Sequence, residues 1–94
     1  MTDLEKYCVN ALRLSEASAD ALSEEIRVHI DIARADMIRL GFSIDFVNDE
    51  TNMLVNNVII KYVVSEMASV ESERDKARAY HKICLDELRK SYVE

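Results

Sequence analysis

Apolar residues recur along most of this chain at intervals of three and four, the rhythm of amphipathic helices, and one segment departs from it. From Met53 to Met67 (MLVNNVIIKYVVSEM) apolar side chains surround most of a helix's circumference. Asn57, Lys61 and Ser65 recur there every fourth residue as a single narrow polar stripe. The pattern predicts a central helix wrapped by amphipathic neighbours. Valines and isoleucines between Val55 and Val64 favour strand by propensity. A run this long without a turn signal exceeds normal strand length, so helix prevails.

Three amphipathic segments supply the wrapping. Thr2-Asp3-Leu4-Glu5 is a capping box, and Leu4, Tyr7, Cys8, Ala11 and Leu12 follow at helical spacing, predicting a first helix over about residues 3–13. Ser15 to Asp20 reads as a small polar connection in which Ser18 or Asp20 caps the next helix. That second helix runs from about Ala21 to Leu40, with a core-facing stripe of Leu22, Ile26, His29, Ile30, Ala33, Met37 and Leu40. Val28 and Ile32 lie off the stripe as a second apolar strip, beyond what a solitary bundle needs. Gly41 falls where a left-handed residue closes a helix, with Phe42 packing back on Met37. Residues 43–52 read as a connection whose Ile44, Phe46 and Val47 are tucked against the body or held by a neighbouring chain, with Asn48 or Asp49 capping the third helix. Ser72 and Asp75 offer a second capping box. They open a fourth helix over about residues 73–91 that buries Ala77, Tyr80, Cys84 and Leu88, flanked by Ile83, Leu85 and Tyr92. The expected architecture is all-α: one small four-helix domain over residues 1–94 with a central hydrophobic third helix.

Composition agrees with that class. The 94 residues include no proline and one glycine, which disfavours sheets and tight hairpins. Eighteen acids against twelve bases give a net charge of −6, whereas nucleic-acid binders usually carry a basic surplus. Residues 1–47 hold nine acids and five bases, while residues 71–94 hold six of each. The start of the chain lacks the form of a signal peptide, and the apolar stretch is too short and interrupted to span a membrane. Two distant cysteines, Cys8 and Cys84, fit a reducing cytoplasm rather than a disulfide framework.

Candidate chemistry is sparse. His81 and Cys84 stand three residues apart, and Cys8 and His29 could complete a zinc or thiol site. The close-spaced cysteine pairs of structural zinc sites are missing, and both cysteines lie on apolar faces. Arg74, Lys76, Arg78 and Lys82 could meet nucleic acid, but Glu71, Glu73, Asp75 and Asp86 are interleaved at salt-bridging spacing. No phosphate loop, metalloprotease pair or nucleophile elbow occurs. The expectation is therefore a protein without catalytic residues, metal or cofactor.

The whole pattern has a likeness. A short capped helix (LEKYCVNALRL) leads through an acidic connection to a long helix ending at Gly41. A loop, the hydrophobic helix MLVNNVIIKYVVSEM and the final helix AYHKICLDELRKSYVE follow. That order resembles the small head–tail connector, or adaptor, proteins of tailed bacteriophages and prophages, over nearly the whole chain. The likeness is closest in the third helix and in the face Tyr80, Cys84 and Leu88 of the fourth.

The resemblance implies a virion neck subunit, assembled in the bacterial cytoplasm into a ring of about twelve copies beneath the portal. Such a ring extends the DNA channel and presents a platform to the next connector or stopper, while DNA passes without specific binding. It also implies that the C-terminal helix docks on the portal, here through Leu85, Leu88, Arg89, Lys90, Tyr92 and Val93. Subunit contacts would fall on Val28, Ile32, Ile44, Phe46 and Val47. The residues themselves leave two other readings open. One is a small cytoplasmic helical adaptor or regulator, monomeric or dimeric, that binds a protein partner; the other is a zinc- or thiol-dependent enzyme.

Overall fold

The computed structural model of the chain describes residues 1–92. It is all-helical, with no strand among those residues, and it contains five helices rather than four. They are α1 (Asp3–Leu12), α2 (Glu16–Arg39), α3 (Ile44–Val47), α4 (Met53–Met67) and α5 (Glu71–Tyr92). The extra helix is the single turn α3 inside the segment read as a connection. Ser43 caps it by accepting from the Phe46 amide, and the turn drives Val47 into the core.

Helix starts follow the local capping chemistry. At α1 the predicted box forms in full: the Thr2 hydroxyl accepts from the Glu5 amide at 3.2 Å, and the Thr2 amide donates to the Glu5 carboxylate at 2.9 Å. α2 begins five residues earlier than its predicted start at Ala21, because Ser15 accepts from the Ser18 amide and caps it. The supposed connection is thus helical, and Ala19 is buried within it. α4 is capped by Asn52, not by Asn48 or Asp49, and its first turn holds no acid. The Asp49 carboxylate instead accepts from the Thr51 hydroxyl and amide, contacts that lower its pKa. α5 begins at Glu71, which places Ser72 inside the helix rather than at its cap.

The ends of α1 and α2 are closed by left-handed residues. Gly41 has φ 112°, with its amide donating to Ile38 O and the Phe42 amide to Met37 O. This is the predicted closure, and Phe42 and Met37 both enter the core. Arg13 does the same work after α1 at φ 55°, with its amide on Asn10 O and the Leu14 amide on Val9 O. A non-glycine residue there costs on the order of 1 kcal/mol.

α4 packs against α5, α2 and α1. Its Val55, Val58, Ile59 and Val63 join Leu4, Cys8, Ile26, Ile30, Ala33, Met37, Phe42, Val47 and Leu88 in one core cluster. Truncating such a residue, Ile59→Ala for example, typically costs 2–5 kcal/mol, on the order seen for core leucine and isoleucine. α5 runs back along α4. Arg74 donates to Ala68 O at 2.7 Å and Arg78 to Ser65 O at 3.3 Å, so two cations from α5 satisfy carbonyls at the C-terminal end of α4. α4 has no basic residue of its own in that turn.

The expected polar stripe of α4 does not survive. Asn57 is exposed, but Ser65 is buried with its hydroxyl donated to Tyr62 O. Buried Asn56, outside the stripe, donates to Glu50 O at 2.9 Å. On α5 the inward positions are Ala77, His81, Cys84, Leu85 and Leu88, while Tyr80 is exposed and lies against Lys61. Ala77, Cys84 and Leu88 face inward as expected, and the one exchange is His81 for Tyr80, with the His81 ring packed against Tyr62 at a centroid distance of 5.6 Å.

Candidate functional site

The surface candidates separate into two groups. On α2, Val28 is 49% exposed and Ile32 42%, one helical turn apart, with Ala21 and Ala35 also exposed on the same face. Nothing in the described chain covers this strip.

The second group lies where α3, the start of α4 and the end of α5 meet. Ile44 is 60% exposed at the start of α3. Phe46, half-buried, stacks on Phe42 at a centroid distance of 5.6 Å and meets Tyr92 at 5.0 Å. Two residues assigned to different roles, Phe46 to subunit contact and Tyr92 to portal docking, therefore form one aromatic cluster. Beside it a groove of about 200 Å³ is lined by Leu54, Asn57, Cys84, Glu87, Leu88, Ser91 and Tyr92. Leu54 and Tyr92 are both more than half exposed at its rim.

Not every candidate reaches the surface. Val47 is 1% exposed and belongs to the core, so its side chain is not available to a neighbour. Leu88 is buried between α4 and α5, and Leu85 is half-buried against the core. Arg89 and Lys90 are exposed in the last turn of α5, and Val93 lies outside the described residues. Sequence reasoning missed Met53 and Leu54, both about half exposed. The signal hung on the cap: only with Asn52 as cap do they occupy the first turn of α4.

A charged clasp holds α1, α2 and the α3–α4 connection together at another face. The Glu50 carboxylate accepts from the Leu4 amide at 3.1 Å and pairs with Arg34 at 3.3 Å, while Arg34 also donates to Val47 O. Glu5, buried, pairs with Arg27 at 3.2 Å. Each carboxylate has a cation or amide partner, so the clasp is structural.

The thiols and imidazoles are dispersed. Cys8 is fully buried, and burial, with Glu5 adding to it, pushes its thiol up to about 12, far from a thiolate at neutral pH. His29 and His81 flank Tyr62, with ring centroids 6.3 and 5.6 Å away. Burial lowers the His81 pKa and Asp36 raises it, while burial followed by Glu66 and Asp36 raises that of Tyr62. Among the described residues, no three or more of His, Cys, Asp and Glu are placed to hold a metal ion together. No helix among them is long and apolar enough to cross a membrane.

Against known proteins, the chain matches no family model, no curated protein and no solved structure.

Proposed function

We propose that this chain is a structural neck subunit of a tailed bacteriophage or prophage. It acts as a ring-forming adaptor that docks on the portal, extends the DNA channel and receives the next connector or stopper. The observation that carries this reading is the pair of exposed apolar surfaces on one small helical unit. One lies on α2 (Val28 and Ile32), the other around Ile44, Leu54 and Tyr92. A ring subunit needs two different contact surfaces because its interfaces are heterologous. In this reading α4 is the hydrophobic hub on which the other helices are mounted, and α2 and the α3–α5 end carry the contacts. Arg89 and Lys90 of α5 are the portal-facing groups, and Tyr92 stands where that face meets the subunit contact. The net charge of −6 suits a conduit through which DNA must slide without being held. The role calls for no catalytic group, metal or cofactor, and its place is the virion neck, reached from the host cytoplasm.

The test is co-expression with the portal protein of the same phage, followed by co-purification and negative-stain imaging. Annular particles thickened on one side of the portal support the reading. A chain that neither co-purifies with the portal nor forms an annulus overturns it and leaves the small protein-binding regulator as the better account.

A further inference from the structure

The strip on α2 carries a regularity that a generic sticky face would not need. Ala21, Glu25, Val28, Ile32, Ala35 and Arg39 follow at intervals of four, three, four, three and four residues. That is the spacing of a seam along which one helix meets another. All six are solvent-exposed, on a helix of 24 uninterrupted residues. α2 is thus about 36 Å of rigid rod with an unpartnered seam.

The charges along the seam choose its occupant. Its N-terminal half carries Glu24 and Glu25, and its C-terminal end carries Arg39, whose exposed guanidinium lies 3.6 Å from Asp36 on the same helix. A second copy laid parallel would set Glu24 and Glu25 against their own counterparts. Laid antiparallel, with the two-fold axis at Ile32, it sets those acids against Arg39 of the second copy, twice by symmetry. In that register Ile32 meets Ile32, Glu25 is level with Arg39, and Val28 is level with Asp36, beside Ala35 of the second copy. Opposed helix dipoles favour the same orientation. Asp31, near the axis, lines a recess in which Arg27 and Arg34 are already paired with Glu5 and Glu50, so like charge at the axis opposes the pair and helps keep it weak. The seam is therefore complementary to itself in charge at its two ends, with Ile32 at its centre.

We propose that the α2 seam joins two copies of this chain in an antiparallel two-fold pair. A single helix pair buries less than the roughly 1,200 Å² of a lasting interface, so the pair forms and dissociates with concentration. Such a pair closes on itself and does not propagate. If the neck-ring reading holds, pairing sequesters one ring surface of each free subunit until the portal displaces the second copy. That regulatory role rests on the ring reading, whereas the pair itself does not.

Sedimentation equilibrium of the full chain between about 10 μM and about 1 mM tests it, a range chosen for a weak interface. The average mass should rise from one chain toward two. Ile32→Glu should hold it at one chain throughout, and Val28→Asp serves the same purpose if circular dichroism shows the first variant to be unfolded. Glu25→Arg and Arg39→Glu should each weaken pairing by about tenfold, and the double swap should recover most of that loss, as coupled sites do. Ile32→Cys in a Cys84→Ser background should give a disulfide-linked pair on mild oxidation. A one-chain mass at every concentration, pairing indifferent to both Ile32→Glu and Val28→Asp, or a swap without recovery overturns the proposal. Portal binding without pairing would sink the pair alone, and pairing without portal binding would sink the ring alone.

Discussion

Half-buried His81 shows how a single side chain can mislead in one dimension and inform in three. Its spacing to Cys84 invites a metal or nucleophile reading, yet its ring packs against Tyr62, which also neighbours His29. Burial depresses its pKa, with Asp36 opposing, so the unfolded chain takes up a proton at this position more readily than the folded one. The stabilising contribution of neutral His81 is present above the unfolded imidazole pKa of about 6.5 and fades as pH falls from there toward the lower folded value. Thermal melts should therefore show a midpoint that drops between pH 7.5 and pH 5. His81→Phe, which keeps a ring against Tyr62, should flatten that dependence; an unchanged slope would mean that other groups set it. Glu50 makes the complementary point. Nothing near it in sequence foretells that its carboxylate will reach the Leu4 amide, 46 positions away.

Among the elements, boundaries depended on which of several equivalent polar residues took the cap. Ser15, Ser18 and Asp20 were all chemically able to start α2, as Asn48, Asp49 and Asn52 were to start α4. Ser15 prevailed because starting there lets Ala19 reach the core, and Asn52 because Asp49 is engaged by Thr51. Asn52 accepts from the amides of both Leu54 and Val55. Asn52→Ala should thus cost about 1 kcal/mol in urea unfolding, in the usual range for a lost cap. Asp49→Ala should cost less, since its bonds to Thr51 are exposed and cap no helix. Equal losses would contradict the assignment. α1 and the Gly41 closure, by contrast, were legible in advance, because each is specified by residues no more than five positions apart.

For the molecule as a whole, the proposed docking role rests on uncovered apolar surface, and the groove rim is where it can be probed without harming the fold. Leu54→Asp should change stability by no more than about 0.5 kcal/mol, as expected of an exposed position. Portal retention of the Leu54→Asp protein should fall at least about tenfold if the α3–α5 end is a docking face. A large loss of thermal stability instead would mean that Leu54 is a core residue. The candidate list drawn from sequence combined residues of opposite fate: Val28, Ile32, Ile44 and Tyr92 are exposed, Val47 and Leu88 buried. Periodicity assigned a face to each helix, but within the short segment at 44–47 there is too little of it to say which apolar side chain turns inward.

Helical class, the run of apolar residues in α4, the capping box and the spare strip on α2 could all be read from the chain, since each depends on contacts within one or two turns. Which cap prevails, the turn of α3, the exchange of Tyr80 for His81 on the inner face of α5, and the meeting of Phe46 with Tyr92 could not. They depend on how helices far apart in sequence share one small volume, and dense packing settles that jointly for all of them rather than segment by segment.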